Sequence, residues 1–251
     1  MSDNFINAEF VIEEEDLDKN IRIINSFEQY AKEKNFKIES SDKSVNEKEI
    51  KDNCKISIND VEVPFSYFHK FNEKGKFKIR YSFSQNLKKI NYIFSGCEQL
   101  RNIDFSHFNT KNVSDMSYML DDCCLLENIN LANFDTQNVQ DMSGMFMGCS
   151  SLINLNLSNF NTQNVKNMTS MFEGCSSLTN LNLSNFIIIQ NGFIFQIPYY
   201  NSAIKMISYF PRYILSATNM KFMFRYCSSL RRENIIANDN RIFEQFFEDN
   251  N

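Results

Sequence analysis

The chain has 251 residues, 43% of them hydrophobic and 23% charged, with 6 Gly and 3 Pro. That is the composition of a folded globular protein, not of a low-complexity or disordered chain. A net charge of −5 and a pI near 5.2 speak against nucleic acid as a partner, because phosphate backbones are met by basic faces. No apolar run approaches the ~20 residues a membrane span needs.

From the N-terminus, "MSDNFINAEFVIEEEDLDK" is acidic and lacks the basic and apolar regions of a secretory leader. The expectation is a cytoplasmic chain, with the cell surface as the alternative. "AEFVIEE" and "NIRIIN" alternate as strands around the turn "DLDK", and Ser26 can cap a short helix over "FEQYAKEKN". "CKISIND", "VEVPF" and "KFKIRYSF" again show period two. In "KGKFKIR" the cations alternate with apolar residues, the pattern of a strand's solvent face. Residues 1–84 therefore read as a small α+β unit that caps the rest of the chain.

Beyond residue 84 the texture changes and a 26-residue period sets in. Cys97, Cys123, Cys149 and Cys175 mark it, as do Phe108, Phe134, Phe160 and Phe186, and Leu100, Leu126, Leu152 and Leu178. The phrase fades over 187–216 and resumes in "NMKFMFRYCSSL", with Cys227 two periods after Cys175. A fixed period of this length is the signature of stacked repeats. The faded stretch, with Ile194, Ile197, Ile204 and Ile207 in place of the usual Met and Leu, reads as a diverged repeat. A frame error or retained non-coding sequence is the alternative. Residues 231–251 end in a helix-like cap, "NDNRIFEQFFEDNN".

Within a unit, Leu181 and Leu183 alternate with Asn180, Asn182 and Ser184, which predicts one strand. Val165, Met168, Met171 and Phe172 then share one face of a predicted short helix, with Asn164 as N-cap and Gly174 as the left-handed stop. One such unit buries too little to fold alone; stacked units share a core. The expected fold is an α/β solenoid, a right-handed leucine-rich-repeat-like coil over 85–230 with a parallel strand ladder and short helices, preceded by the α+β unit.

The pattern L-x-x-L-x-L-x-x-F-x-T-x-x-V-x-x-M-x-x-M-F-x-G-C-x-x-L resembles the BspA-like leucine-rich-repeat family, over 87–186 and again at 219–230. The resemblance implies a repeat surface used for protein–protein contact, in surface members for adhesion to host or matrix proteins.

The cysteine ladder (Cys97, Cys123, Cys149, Cys175, Cys227) reads as core packing in preference to redox bridges or zinc, since a linear column suits neither reduced-compartment disulfides nor tetrahedral ligation. Asp115, Asp141 and Asn167 read as helix caps in preference to calcium ligands. The sequons at Asn112 and Asn167 would matter only in an exported chain. No metal and no cofactor is expected, and catalytic motifs are missing: His69 and His107 stand apart, with no obvious partner nucleophile. The candidate binding face is the strand columns Asn102, Asn128, Asn154, Asn180 and Asp104, Asn130, Asn156, Asn182, which could equally form an amide ladder. Columns that vary between units offer specificity: Arg101, Glu127, Ile153, Thr179, and Ser114, Gln140, Lys166. The expected function is a non-enzymatic interaction scaffold or adaptor with an unidentified protein partner; an adhesin, or an activity confined to 1–84, are the rivals. Oligomeric state is open.

Overall fold

The computed structural model describes residues 4–39, 42, 44–190, 193–194 and 218–250. Its strands and helices run, in chain order, β1 (Phe5–Ile12), β2 (Ile21–Arg22), α1 (Phe27–Glu33), α2 (Glu47–Asn53), β3 (Cys54–Ile58), β4 (Val61–Val63), β5 (Phe68–His69) and β6 (Gly75–Phe83). The repeat region adds β7 (Leu100–Asp104), β8 (Asn128–Asn130), β9 (Asn154–Asn156), β10 (Asn180–Leu183), β11 (Ile189–Gln190), β12 (Phe193–Ile194), β13 (Ile235–Ala237) and α3 (Asn240–Asn250). The alternating segments of the first 84 residues become β1, β2, β3, β4 and β6, the one in "NIRIIN" being only Ile21–Arg22, and Ser26 caps α1 by accepting from the Gln29 backbone N–H at 3.1 Å. Helix α2 falls in a stretch whose short apolar pattern gave no signal; Ile50 is its one buried side chain.

The expected solenoid does not form. The strands divide into a six-stranded mixed sheet of order β4-β3-β6-β1-β7-β8, a separate three-stranded sheet of order β13-β10-β9, and two-stranded pairs β11-β12 and β2-β5. Among the described residues the repeat strands do not join into one continuous parallel sheet. Only α1, α2 and α3 are α-helical among the described residues, and none lies within the repeated phrase.

Backbone hydrogen bonding explains why the predicted short helices are absent. In the first unit the N–H groups of Tyr92, Phe94 and Gly96 leave their own turn and donate to the carbonyls of Ser117, Met119 and Asp121 in the next unit, at 3.0, 3.0 and 2.7 Å. The alternate residues Ile93, Ser95 and Cys97 donate three positions back, to Ile90, Tyr92 and Phe94. Half the donors an α-helix would use inside itself are thus spent on the neighbouring layer. Two left-handed residues per unit complete the break: Tyr92 and Gly96, Tyr118 and Asp122, Gly144 and Gly148, Ser170 and Gly174, Phe222 and Tyr226 all have φ between 53° and 76°. Gly174 is left-handed as expected, but as one of a pair in a turn and not as a helix stop. The Val-Met-Met-Phe spacing still points inward, since successive tight turns also bring every third or fourth side chain to one face.

The units remain in register with one another. Isolated parallel bridges link Lys89 to Asp115, Asp115 to Asp141, Asp141 to Asn167 and Asn167 to Asn219. The last step skips a period: Met168, Phe172 and Gly174 donate to the carbonyls of Asn219, Met223 and Arg225, and Leu181 pairs with Ile235. The unit at 219–237 therefore lies directly on that at 167–183. Most of the faded stretch, with Ile197, Ile204 and Ile207, falls outside the described residues. At its start, Ile189 pairs antiparallel with Ile194.

One core runs through both regions. Tyr81 and Phe94, both fully buried, meet edge-on at 5.1 Å, and Phe94 reaches Phe105, which packs on Phe134 at 5.0 Å. Phe134, Phe160 and Phe186 then stack nearly parallel, as do Phe146, Phe172 and Phe224. Asp239 and Arg241 of the tail close the last layer, the Ile188 N–H donating to Asp239 Oδ2 and Arg241 Nη2 to the Ile188 carbonyl.

Candidate functional site

β1 lies between β6 and β7, so the outward side chains of the N-terminal strands and of the first two repeats share one face. Strand pairing sets them in two rows across the sheet. One row runs Ser57, Arg80, Asn7, Asp104, Asn130; the other runs Lys78, Glu9, Asn102, Asn128. All nine line an open trough of about 700 Å³, with Asp60 at the β3–β4 turn. The floor between the rows is the backbone level of Ala8, Ile79, Ile103 and Ile129.

Glu9 is engaged on both sides. Asn102 Nδ2 donates to its Oε1 at 2.8 Å, and Lys76 Nζ lies 3.3 Å from the same oxygen. Asn128 Nδ2 in turn donates to Asn102 Oδ1 at 2.7 Å, so a three-residue chain Glu9–Asn102–Asn128 crosses from β1 to β8. Arg80 is held differently: its guanidinium lies 3.7 Å from the Phe5 ring centroid, and Phe5 stacks on His107 at 4.5 Å with 12° between planes. Phe5 is 8% exposed yet lies outside the main core; these two neighbours cover it.

The second acidic-amide column is committed to local structure. Asp104, Asn130, Asn156 and Asn182 each accept, through Oδ1, the backbone N–H two residues on, at 2.9 to 3.1 Å. These are Asx turns, which end the strands. Asp115, Asp141 and Asn167 do the same with Ser117, Ser143 and Thr169, so they form turns and not helix caps. Burial raises the Asp115 carboxyl, partly offset by its Ser117 bonds.

The structure brings together Asn102, Asp104, Asn128 and Asn130 of the predicted face. Asn154, Asn156, Asn180 and Asn182 lie on the separate sheet of β9 and β10, where Asn180 Nδ2 donates to Asn154 Oδ1 at 2.7 Å. The variable columns pair largely among themselves and lie outside the trough. Arg101 bonds Glu127 at 2.9 Å, Lys166 bonds Gln140 at 3.2 Å, Thr179 donates to the Ile153 carbonyl and Ser114 to the Lys88 carbonyl. The Ile153 side chain is exposed.

The cysteine ladder has a hydrogen-bonding role besides packing. Cys123, Cys149, Cys175 and Cys227 point their Sγ at the carbonyls of Phe94, Leu120, Phe146 and Phe172 in the preceding unit, at 3.0 to 3.3 Å. All five ladder thiols, including Cys97, are free and buried. Burial raises every one, Cys227 to about 12, so none is a reactive thiolate near neutral pH. Among the described residues no group of three or more His, Cys, Asp or Glu is placed to hold a metal ion. Nor is any described helix long and apolar enough to cross a membrane.

Nothing in the sequence marks Glu9, Lys78 and Arg80 as site residues. Their outward alternation in "AEFVIEE" and "KFKIRYSF" is visible, but nothing local says that β1 joins β6 to the first repeat.

The repeated phrase that supplies half of this trough is also what comparison with known proteins detects. The family described as "Mycoplasma protein of unknown function, DUF285" matches over three overlapping segments, 31–130, 62–186 and 126–235. The chain belongs to this family. The matches reach back from the repeats into the N-terminal unit and cover β3, β6, β7 and β8 of the trough, but not β1. No curated protein and no solved structure matches the chain.

Proposed function

We propose that the protein is a non-enzymatic interaction scaffold whose contact surface is the trough over β3, β6, β1, β7 and β8. The observation that carries this reading is the cross-strand polar field. Two rows of amide and charged side chains, drawn from both regions of the chain, stand side by side in a concavity open to solvent. Groups of this kind supply hydrogen bonds and charge to a macromolecular surface. The resemblance of the repeats to BspA-like sequences supports a protein partner.

Site-specific photo-crosslinking in the native cell tests this. A crosslinking residue in place of Asn128 is expected to trap a discrete protein, and the adduct should disappear when Arg80 and Asn102 are both replaced by Ala. The same crosslinker at Gln137, an exposed corner away from the trough, should not trap it. Equal trapping at both positions, or an adduct indifferent to the Arg80 and Asn102 changes, would overturn the assignment.

A further inference from the structure

The charges in the trough are not evenly satisfied. Glu9 has both Lys76 and Asn102, and Asp104 is occupied by the Ser106 N–H. Lys78 and Arg80, two residues apart on the outward side of β6, have no carboxylate within ion-pairing distance among the described residues. On that rim Asp60 lines the trough, and Glu62, opposite Ser57 on β4, is paired with Lys55 at 3.5 Å. The trough is lined by three carboxylates, Glu9, Asp60 and Asp104, and two cations; the cations both stand on β6, where Asp60 is the trough-lining carboxylate on their rim, and the β7–β8 side holds the amides of Asn102, Asn128 and Asn130.

Arg80 is also prepared for an anion. A guanidinium lying on a ring uses its face for the contact and leaves its in-plane N–H donors available for a carboxylate. The Arg80–Phe5–His107 contacts hold the guanidinium over the ring before any partner arrives. The His107 ring is itself steadied by a 3.0 Å bond between its Nδ1 and Ser106 Oγ.

We infer that the trough takes an extended acidic peptide segment of a partner protein, with carboxylates on Lys78 and Arg80 and the peptide's polar groups on the Asn102–Asn128 side. The inference rests on the proposed function and adds the chemistry of the partner to it. Five strands at ~4.8 Å spacing make the trough ~19 Å across, the span of about six residues of extended chain.

Fluorescence anisotropy on the full chain provides the test, with three labelled peptides of about eight residues alternating Ser with Asp, with Lys or with Asn, long enough to cross the trough. The acidic peptide alone should bind, and binding should weaken steeply with added salt. Arg80→Gln should weaken it about tenfold or more, the loss of a charge-assisted contact. Phe5→Leu should weaken it by less, and Asp60→Asn should tighten it. The double reversal Lys78→Glu with Arg80→Glu should transfer preference to the basic peptide. Because Lys78 and Arg80 are exposed, these variants keep the fold even where Phe5→Leu does not; Lys166→Glu, on another face, should leave binding unchanged. Equal binding of the three peptides, no response to Arg80→Gln, or displacement of the acidic peptide by an RNA oligonucleotide at lower concentration would each overturn the inference. If photo-crosslinking places a protein in the trough while the acidic peptide fails to bind, this inference falls and the proposed function stands. If crosslinking too finds nothing there, both fall.

Discussion

Asp121 is 2% exposed, and only one of its carboxylate oxygens has a hydrogen-bond donor, the Ser95 hydroxyl at 3.1 Å; Oδ1 is buried without a partner. Burial, and then the neighbouring Asp122 charge, lift its carboxyl to about 7. An unfolded-chain Asp titrates near ~3.9. Between these two values the native state holds a proton that the unfolded state has released. Stability therefore falls as pH rises from about 4 to about 7 and levels off above. Asp121→Asn removes the ionised form; it should raise stability by about 1–3 kcal/mol at pH 8 and change little at pH 4, read as the urea midpoint against pH. A variant whose midpoint tracks the parent protein at every pH would refute this account. At the same scale, many of the recurring asparagines of the phrase turn out to be turn formers. The oxygens of Asn156 and Asn182 go to backbone N–H groups two residues on, and Asn133, Asn159 and Asn185 donate back to carbonyls of the preceding unit. The residue types were plain in the sequence; which backbone group each would satisfy was not, because for the donated bonds that group lies a whole period away.

Between neighbouring units the most regular clamp is a threonine. Thr136 Oγ1 donates to the Asn161 carbonyl at 3.0 Å and accepts from the Asn161 N–H at 2.8 Å, and Thr110 and Thr162 repeat this with Asp135 and Ile187. Thr136 is 1% exposed, so a lost partner there is not replaced by water. Thr136→Val keeps the shape but leaves the part-buried N–H and C=O of Asn161 without this partner, and should cost about 1–3 kcal/mol. Thr136→Ser, which keeps the hydroxyl, should cost clearly less; equal losses in chemical denaturation would mean that packing and not hydrogen bonding is at stake. The turns between strands carry a related lesson. Apolar spacing in "NTQNVKNMTSMFEGC" reads as one helical face, yet the segment is a run of tight turns with left-handed residues at Ser170 and Gly174. Periodicity reports which side chains face inward. It does not report whether the backbone donors find acceptors within the segment or in the next layer, and here every second one goes to the next layer.

Across the whole molecule, the N-terminal region and the repeats are joined by strand pairing as well as by packing. β1 is hydrogen-bonded to β6 on one side and to β7 on the other, and Phe94 packs on both Tyr81 and Phe105. The full chain should therefore unfold in urea as one unit, with coincident transitions in far-UV and near-UV circular dichroism. Removing residues 1–84 would uncover an edge of β7 and the buried faces of Phe94 and Ile103, and should abolish a cooperative transition in the remainder. A truncated chain with a sharp transition of its own would show that the two regions are energetically separate. By itself the sequence determined the period, the inward residues and the corner asparagines, since each follows from local spacing and side-chain chemistry repeated down the chain. Only the tertiary structure decided that the repeats close by turns, that their strands split between two sheets, and that β1 carries Glu9 and Phe5 to the first repeat. Those outcomes depend on which distant backbone donors and acceptors meet, and that pairing leaves no mark on the spacing of residues within a unit.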